Sequence, residues 1–266
     1  MLPPFESKRP CLGQYGDFVM ECQRWMRYNP AMVRNGMRGA MILLAGLGCA
    51  QGSWVRIPAG KASGGEVQAF QMGRYEVTVK EFTQYLNAEG VPDFPETAQV
   101  ARLRRGGYRA RRGMRRQAVA EVRHAEAEAY TRWLGRRLQC VARLPTETEW
   151  EHAARGGLDE TPYPWGWGGK SAKLARFDAD SPAGRVGAYR PNGYGLHDMA
   201  GNLYEWCAAE ATPAGQSFRV ARGGAWSESD PARLRVDHRE LFSEGYRGRD
   251  VGFRVLLEAA DGGKTP

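Results

Sequence analysis

Three oxygen-bearing side chains, Asp198, Asn202 and Glu205, punctuate the stretch Pro191 to Trp206, which reads P-N-G-Y-G-L-H-D-M-A-G-N-L-Y-E-W. Carboxylates, side-chain amides and exposed carbonyls between tight turns are the donors from which hard-cation sites are built, so a calcium ion is one reading. The other gives the same residues structural work, with Asn202 bonding its own turn and Glu205 meeting an arginine. Turn formers (Asn192-Gly193, Gly195, Gly201-Asn202) alternate here with Tyr194, Leu196, Met199, Leu203, Tyr204 and Trp206. Such a backbone must fold tightly while its side chains are buried, which makes a core out of loops.

A second set of acids, Glu147, Glu149 and Glu151, follows Arg143-Leu144-Pro145-Thr146. Paired carboxylates can serve as acid and base. Here Thr146 with Glu149 also forms a capping box, and acids in a first helical turn suit the helix dipole, so capping and arginine partners account for them. Further spaced acids, Asp178 and Asp180, follow Phe177 and hint again at a cation. Cysteine chemistry is sparse: of five cysteines, only Cys140 and Cys207 lie in the body of the chain, without C-x-x-C spacing or a histidine pair for zinc. His124, His152 and His197 read as surface or hydrogen-bonding residues.

The elements that position these groups are short. Trp54 to Pro58 reads as a strand stopped by proline, and Phe70 to Val77 as a second. Thr78 caps a helix with Glu81 three residues on and Phe82, Tyr85 and Leu86 on its apolar face, ending at Gly90. Ala118 to Val122 is expected as a short strand, and His124 to Leu138 as a helix burying Ala125, Ala129, Trp133 and Leu134. Arg219 to Trp226 reads as a strand entering a glycine turn, and Val251 to Leu256 as a final strand. Between them Ser227 to Asp250 is polar, arginine-rich and long, the profile of an exposed functional loop.

Eight Trp, 34 Gly and 15 Pro among 266 residues indicate turns locked by aromatic packing, hence a loop-rich α+β fold. The net charge of +8 is concentrated between Arg102 and Arg123, around Tyr108. That segment suits anionic surfaces, but no nucleic-acid module accompanies it, so nucleic acid is not the expected partner. Residues 1–36 lack periodicity and read as an extension, with Met32 or Met37 as the expected start. Residues 37–50 have the charged start, apolar centre and small-residue end of a secretory signal. Cleavage after Ala50 would leave a soluble exported protein; cleavage before Cys49 would leave a lipid-anchored one, so the expected location is periplasmic or membrane-attached. Residues 258–266 read as a tail.

Five blocks resemble the formylglycine-generating enzyme family, also called sulfatase-modifying factor domains. They are Gly73 to Thr78, Arg143 to Gly157, Tyr163 to Gly166, Pro191 to Trp206, and Arg222-Gly223-Gly224-Ala225-Trp226 with Gly252-Phe253-Arg254. They occur in the family's order and cover residues 54–257. The resemblance implies an elaborated C-type-lectin-like fold, often with calcium, and in oxidising members a copper ion held by two cysteines after the G-G-x-W turn. It places calcium on Asn202 and Glu205 with the Gly201 and Leu203 carbonyls, and a second site on Asp178 or Asp180, where Arg176 replaces the usual asparagine. Copper is not expected, because Ser227 to Arg239 contains no cysteine and soft thiolates are what hold Cu(I). Asp237 with His238 is only a fragment of an iron site. Two functions follow. One is a non-oxidising module whose face, Trp226, Glu228, Asp230, Arg233, Arg235, Asp237, His238, Arg239 and Tyr246, binds a protein or glycan. The other is an oxidoreductase of the family with a non-standard site.

Overall fold

The first helix starts at Thr78 because side chains there satisfy backbone donors that the helix cannot. The Thr78 hydroxyl accepts from the Glu81 amide, and the Glu81 carboxylate accepts from the Thr78 amide at 2.9 Å. The computed structural model describes residues 53–168, 173–180, 182–211 and 217–258. Helix α1 (Val79–Ala88) buries Val79, Phe82, Tyr85 and Leu86. Helix α2 spans His124–Leu138 and ends on Gln139 in the left-handed region. Helix α3 (Glu147–Arg155) repeats the capping box with Thr146 and Glu149, and Gly156, at φ 61°, ends it.

The expected face of α2 needs correction. Trp133 is buried and Ala129 and Leu134 pack partly buried against the core as expected, but Ala125 is exposed, and His124, Ala127 and Tyr130 complete the buried face. Tyr130 lies 5.6 Å from Tyr85 and 5.3 Å from Phe253 between ring centroids. Turning the face toward Tyr130 gains more than burying Ala125, since burial scales with apolar area.

The strands are β1 (Trp54–Ile57), β2 (Gly60–Ala62), β3 (Gly65–Val67), β4 (Phe70–Gly73), β5 (Val100–Arg102), β6 (Tyr108–Ala110), β7 (Ala142–Arg143), β8 (Tyr204–Ala211), β9 (Phe218–Arg222), β10 (Arg239–Ser243), β11 (Val251–Gly252) and β12 (Leu256–Glu258). One sheet runs β1-β4-β12-β7 and a second β10-β9-β8-β11, with β2-β3 and β5-β6 as separate hairpins. The pairings of the first sheet are antiparallel, whereas β11 joins β8 in parallel.

The expected final strand is therefore two strands in two sheets. Phe253, Arg254 and Val255 cross between them and are all buried. Ala118 to Val122 is not a strand; it is a buried crossing segment tied by isolated bridges from Thr78 to Ala118 and from Gln117 to Arg185. The Ser227 to Asp250 stretch is less of a loop than its polarity implies. It contains a 3-10 turn at Pro231–Leu234 and all of β10, and it buries Leu234 and Val236. Its charges pair with one another, which hides the regular structure from a reading based on polarity.

Candidate functional site

The turns of Pro191 to Trp206 deliver Glu205 to a fully buried position at the start of β8. There it meets Arg254, also without solvent exposure, in a forked pair: Nε donates to Oε2 and Nη2 to Oε1, each at 2.6 Å. The Trp150 indole of α3 donates to the same Oε2 at 2.6 Å. Arg254 further donates to the Gly73 carbonyl at 3.0 Å and the His197 carbonyl at 2.9 Å. One guanidinium thus ties the end of β4, the Pro191 to Trp206 loop, β8 and the crossing segment together.

Asn202, at φ 64°, extends this hub. Its Oδ1 accepts from the Gly184 amide at 2.7 Å and its Nδ2 donates to Glu76 at 2.6 Å. Glu76 is buried, and its second oxygen, Oε2, has no hydrogen-bond partner. Burial, reinforced by the nearby Asp198 and Glu205 charges, pushes the Glu76 carboxyl well above the usual carboxylate range. Asp198 is raised as well, chiefly by burial, although it accepts from the Gly187 amide at 2.6 Å. Glu76 sits in the Gly73 to Thr78 block and Arg254 in the G-F-R block, so the sequence marked both as motif residues without showing that they converge.

Calcium does not fit the expected donor set as it is arranged. Both Glu205 oxygens accept N–H bonds, a guanidinium occupies the place of a cation, and the Asn202 carbonyl oxygen is taken by Gly184. Gly201 and Leu203 flank Asn202, and Gly201 is needed for close packing: a Cβ there would lie 2.2 Å from the Arg176 carbonyl oxygen. Asp178 and Asp180 are exposed, and the Asp178 amide donates to the Glu228 carbonyl at 2.8 Å. Among the described residues no three His, Cys, Asp or Glu side chains form a metal-holding group.

The Trp226 to Tyr246 face is a web of internal pairs. Glu228 accepts from the Tyr204 hydroxyl at 2.9 Å and faces Arg233 at 3.4 Å. Arg233 also pairs closely with Glu240, which His238 approaches at 3.4 Å. Asp237 is held by Arg235 at 2.6 Å, and its carboxyl lies below the ordinary range because of that guanidinium, so the Asp237-His238 fragment is not assembled. Arg239 reaches Glu147 at 2.8 Å, and Asp230 caps the 3-10 turn by accepting from the Ala232 amide. Trp226 donates to the Arg249 carbonyl, while Tyr246 stacks on Phe242 at 4.3 Å and donates to Asp250. The α3 acids behave as capping and arginine partners: Glu149 with Arg143 at 2.7 Å, Glu151 with Arg155 at 2.8 Å, Glu147 with Arg222 at 3.0 Å. His124, His152 and His197 each bond a backbone carbonyl.

Copper ligation likewise finds no thiol pair here. Neither Cys140 nor Cys207 lies between Ser227 and Arg239. Cys207 is fully buried, and burial pushes its thiol far above the ordinary value, which suppresses the thiolate a metal would need.

Residues 32–259 match the sulfatase-modifying factor enzyme 1-like domain. The chain belongs to that family. Inactive C-alpha-formylglycine-generating enzyme 2 of Mus musculus is 39% identical over 160 residues, covering 53% of this chain and 49% of the relative. A formylglycine-generating enzyme of Thermomonospora curvata is 36% identical over 173 residues, covering 53% of this chain and 55% of the relative. The chain therefore spans about half the length of these two relatives. The structure of PvdO from Pseudomonas aeruginosa superposes with a TM-score of 0.62 at 27% identity, covering 77% of this chain and 94% of that one. The loop-rich α+β formylglycine-generating-enzyme fold expected from the sequence stands. The Glu205, Arg254, Asn202 and Glu76 hub gives its motif residues a structural role within this family member.

Proposed function

We propose that this formylglycine-generating-enzyme-like domain is a non-oxidising binding or accessory module. The observation that carries the reading is the Glu228–Arg233 ion pair, buttressed by the Tyr204 hydroxyl, in the segment where oxidising relatives are expected to present a thiol pair. Carboxylate and guanidinium cannot replace soft thiolates on Cu(I), and the buried Cys207 cannot substitute. A relative named as inactive is compatible with the same loss.

The ligand face is that from Trp226 to Tyr246, and its partner is a protein or glycan. Its three arginines are all paired with carboxylates, so long-range attraction of an anionic ligand is weak there, and Trp226 with the Tyr246 and Phe242 stack supplies the contact area. We place the protein in the periplasm or on a membrane through Cys49, a residue that lies, with the 37–50 signal, the 1–36 extension and residues 259–266, outside the described residues. Among the described residues no helix is long and apolar enough to cross a membrane. A cysteine-containing sulfatase-motif peptide incubated with the full chain, oxygen and copper should keep its mass. Conversion to the formylglycine product would overturn the reading in favour of an oxidoreductase with an unfamiliar site.

A further inference from the structure

A cavity of about 350 Å³ opens beside the turn that carries Arg185, lined by Tyr75, Arg116, Arg185, Val186, Gly187 and Ala188. It lies within the size range of ligand sites. Two features bear on what it could hold. No carboxylate lines it, and among the described residues neither Arg116 nor Arg185 has a side-chain hydrogen bond or ion pair. Arg143, Arg155, Arg222, Arg233, Arg239 and Arg247, by contrast, all face glutamates.

Arg116 and Arg185 lie on adjoining chain segments. Gln117 bridges Arg185, and the Val186 amide donates to the Arg116 carbonyl at 3.0 Å, so the two chain segments run side by side. Gly187, at φ 72°, lets Tyr75 pack against the turn; a Cβ would come within 2.6 Å of its ring. Asp198 accepts from the Gly187 amide and does not line the cavity. Arg112 and Arg115, on the same segment as Arg116, are exposed and likewise carry no ion pair among the described residues.

Two exposed arginines lining one cavity that has no carboxylate in its wall, with Tyr75 beside them, match the recognition of tetrahedral oxyanions. We propose that this cavity binds the oxyanion of a phosphate or sulfate monoester, with Arg116 and Arg185 as its charged contacts. Arg112 and Arg115 raise the local anion concentration, and affinity falls with ionic strength.

The test uses the full chain. Inorganic phosphate and inorganic sulfate are titrated at low salt while the amide resonances of Gly187 and Ala188 are followed. Saturable shifts there are expected, with affinity reduced roughly tenfold in each of Arg116→Ala and Arg185→Ala. Arg104→Ala and Arg105→Ala, in the β5–β6 turn and away from the cavity lining, should retain it. Vesicles of phosphatidylcholine with and without phosphatidic acid separate the sources. Competition between the acidic vesicles and inorganic phosphate assigns a lipid headgroup; binding of the free anions alone assigns a soluble ester. No saturable shift with either anion, or equal loss in all four variants, overturns the proposal. An unchanged melting temperature in the two cavity variants excludes misfolding as the cause of lost binding.

Discussion

Replacing Arg254 with methionine is the most informative perturbation of this fold. The side chain is fully buried and makes two 2.6 Å bonds to Glu205, one to the Gly73 carbonyl and one to the His197 carbonyl. Removing one partner of a buried pair leaves the other charge uncompensated and costs about 3–5 kcal/mol. Each carbonyl left without its donor adds roughly 1 kcal/mol. A total of about 5–7 kcal/mol would consume most of the ~5–15 kcal/mol by which such a domain is stable. Glu205→Leu should be similarly severe, because it strands both the guanidinium and the Trp150 indole N–H. The double variant should be far better than the sum, with a coupling of at least ~2 kcal/mol, since neither buried charge then remains. Urea unfolding of the four proteins at neutral pH measures this. Additive losses would show that the forked pair is not the unit holding the two sheets and the loop together.

Two further outcomes follow from the same hub. Glu76→Gln should leave stability near pH 4 unchanged and raise it at about pH 7–8, as read by thermal melts across pH. The folded-state carboxyl of Glu76 is raised, so the folded chain holds a proton that the unfolded chain releases, and stability falls as pH climbs from the ordinary glutamate value through the raised one. Asp198, Glu205 and Arg254 all act on this carboxyl, so the replacement must be read against their unchanged background; identical pH profiles would refute the burial argument. Calcium at millimolar concentration, or a chelator, should leave the melting temperature unchanged, whereas a ligand at 100-fold over its dissociation constant would add about 2.7 kcal/mol. A clear calcium-dependent rise would show that the Asn202 and Glu205 oxygens can exchange their protein partners for a metal.

What was legible in the sequence were the features whose physics is local. Thr78 with Glu81 and Thr146 with Glu149 announce helix starts because cap and partner sit three residues apart, and both boxes are present. The family blocks were legible as well, since their residues lie close together in sequence. What failed depended on distant partners. Ala125 has helical spacing with Ala129, yet Tyr85 and Phe253, remote in sequence, draw Tyr130 inward while Ala125 stays exposed. Ser227 to Asp250 looked like a loop because its charges are numerous, and only their mutual pairing explains how Leu234 and Val236 enter the core beneath them.

The same distinction explains why Glu205 could be read either as a cation ligand or as an arginine's partner. Its oxygens are suited to both, and the sequence between Glu205 and Arg254 says nothing of their distance. In the fold the chain leaves one sheet after Gly252 and joins the other at Leu256, and this crossing inserts Arg254 beneath β8. A guanidinium delivered by the backbone itself neutralises the carboxylate without an exogenous ion. The hub therefore holds the scaffold from within, and the Trp226 to Tyr246 surface depends on it for position but not for its own chemistry. Changes among Glu228, Arg233 and Glu240 can alter what that surface contacts while the Glu205–Arg254 pair keeps the two sheets in register.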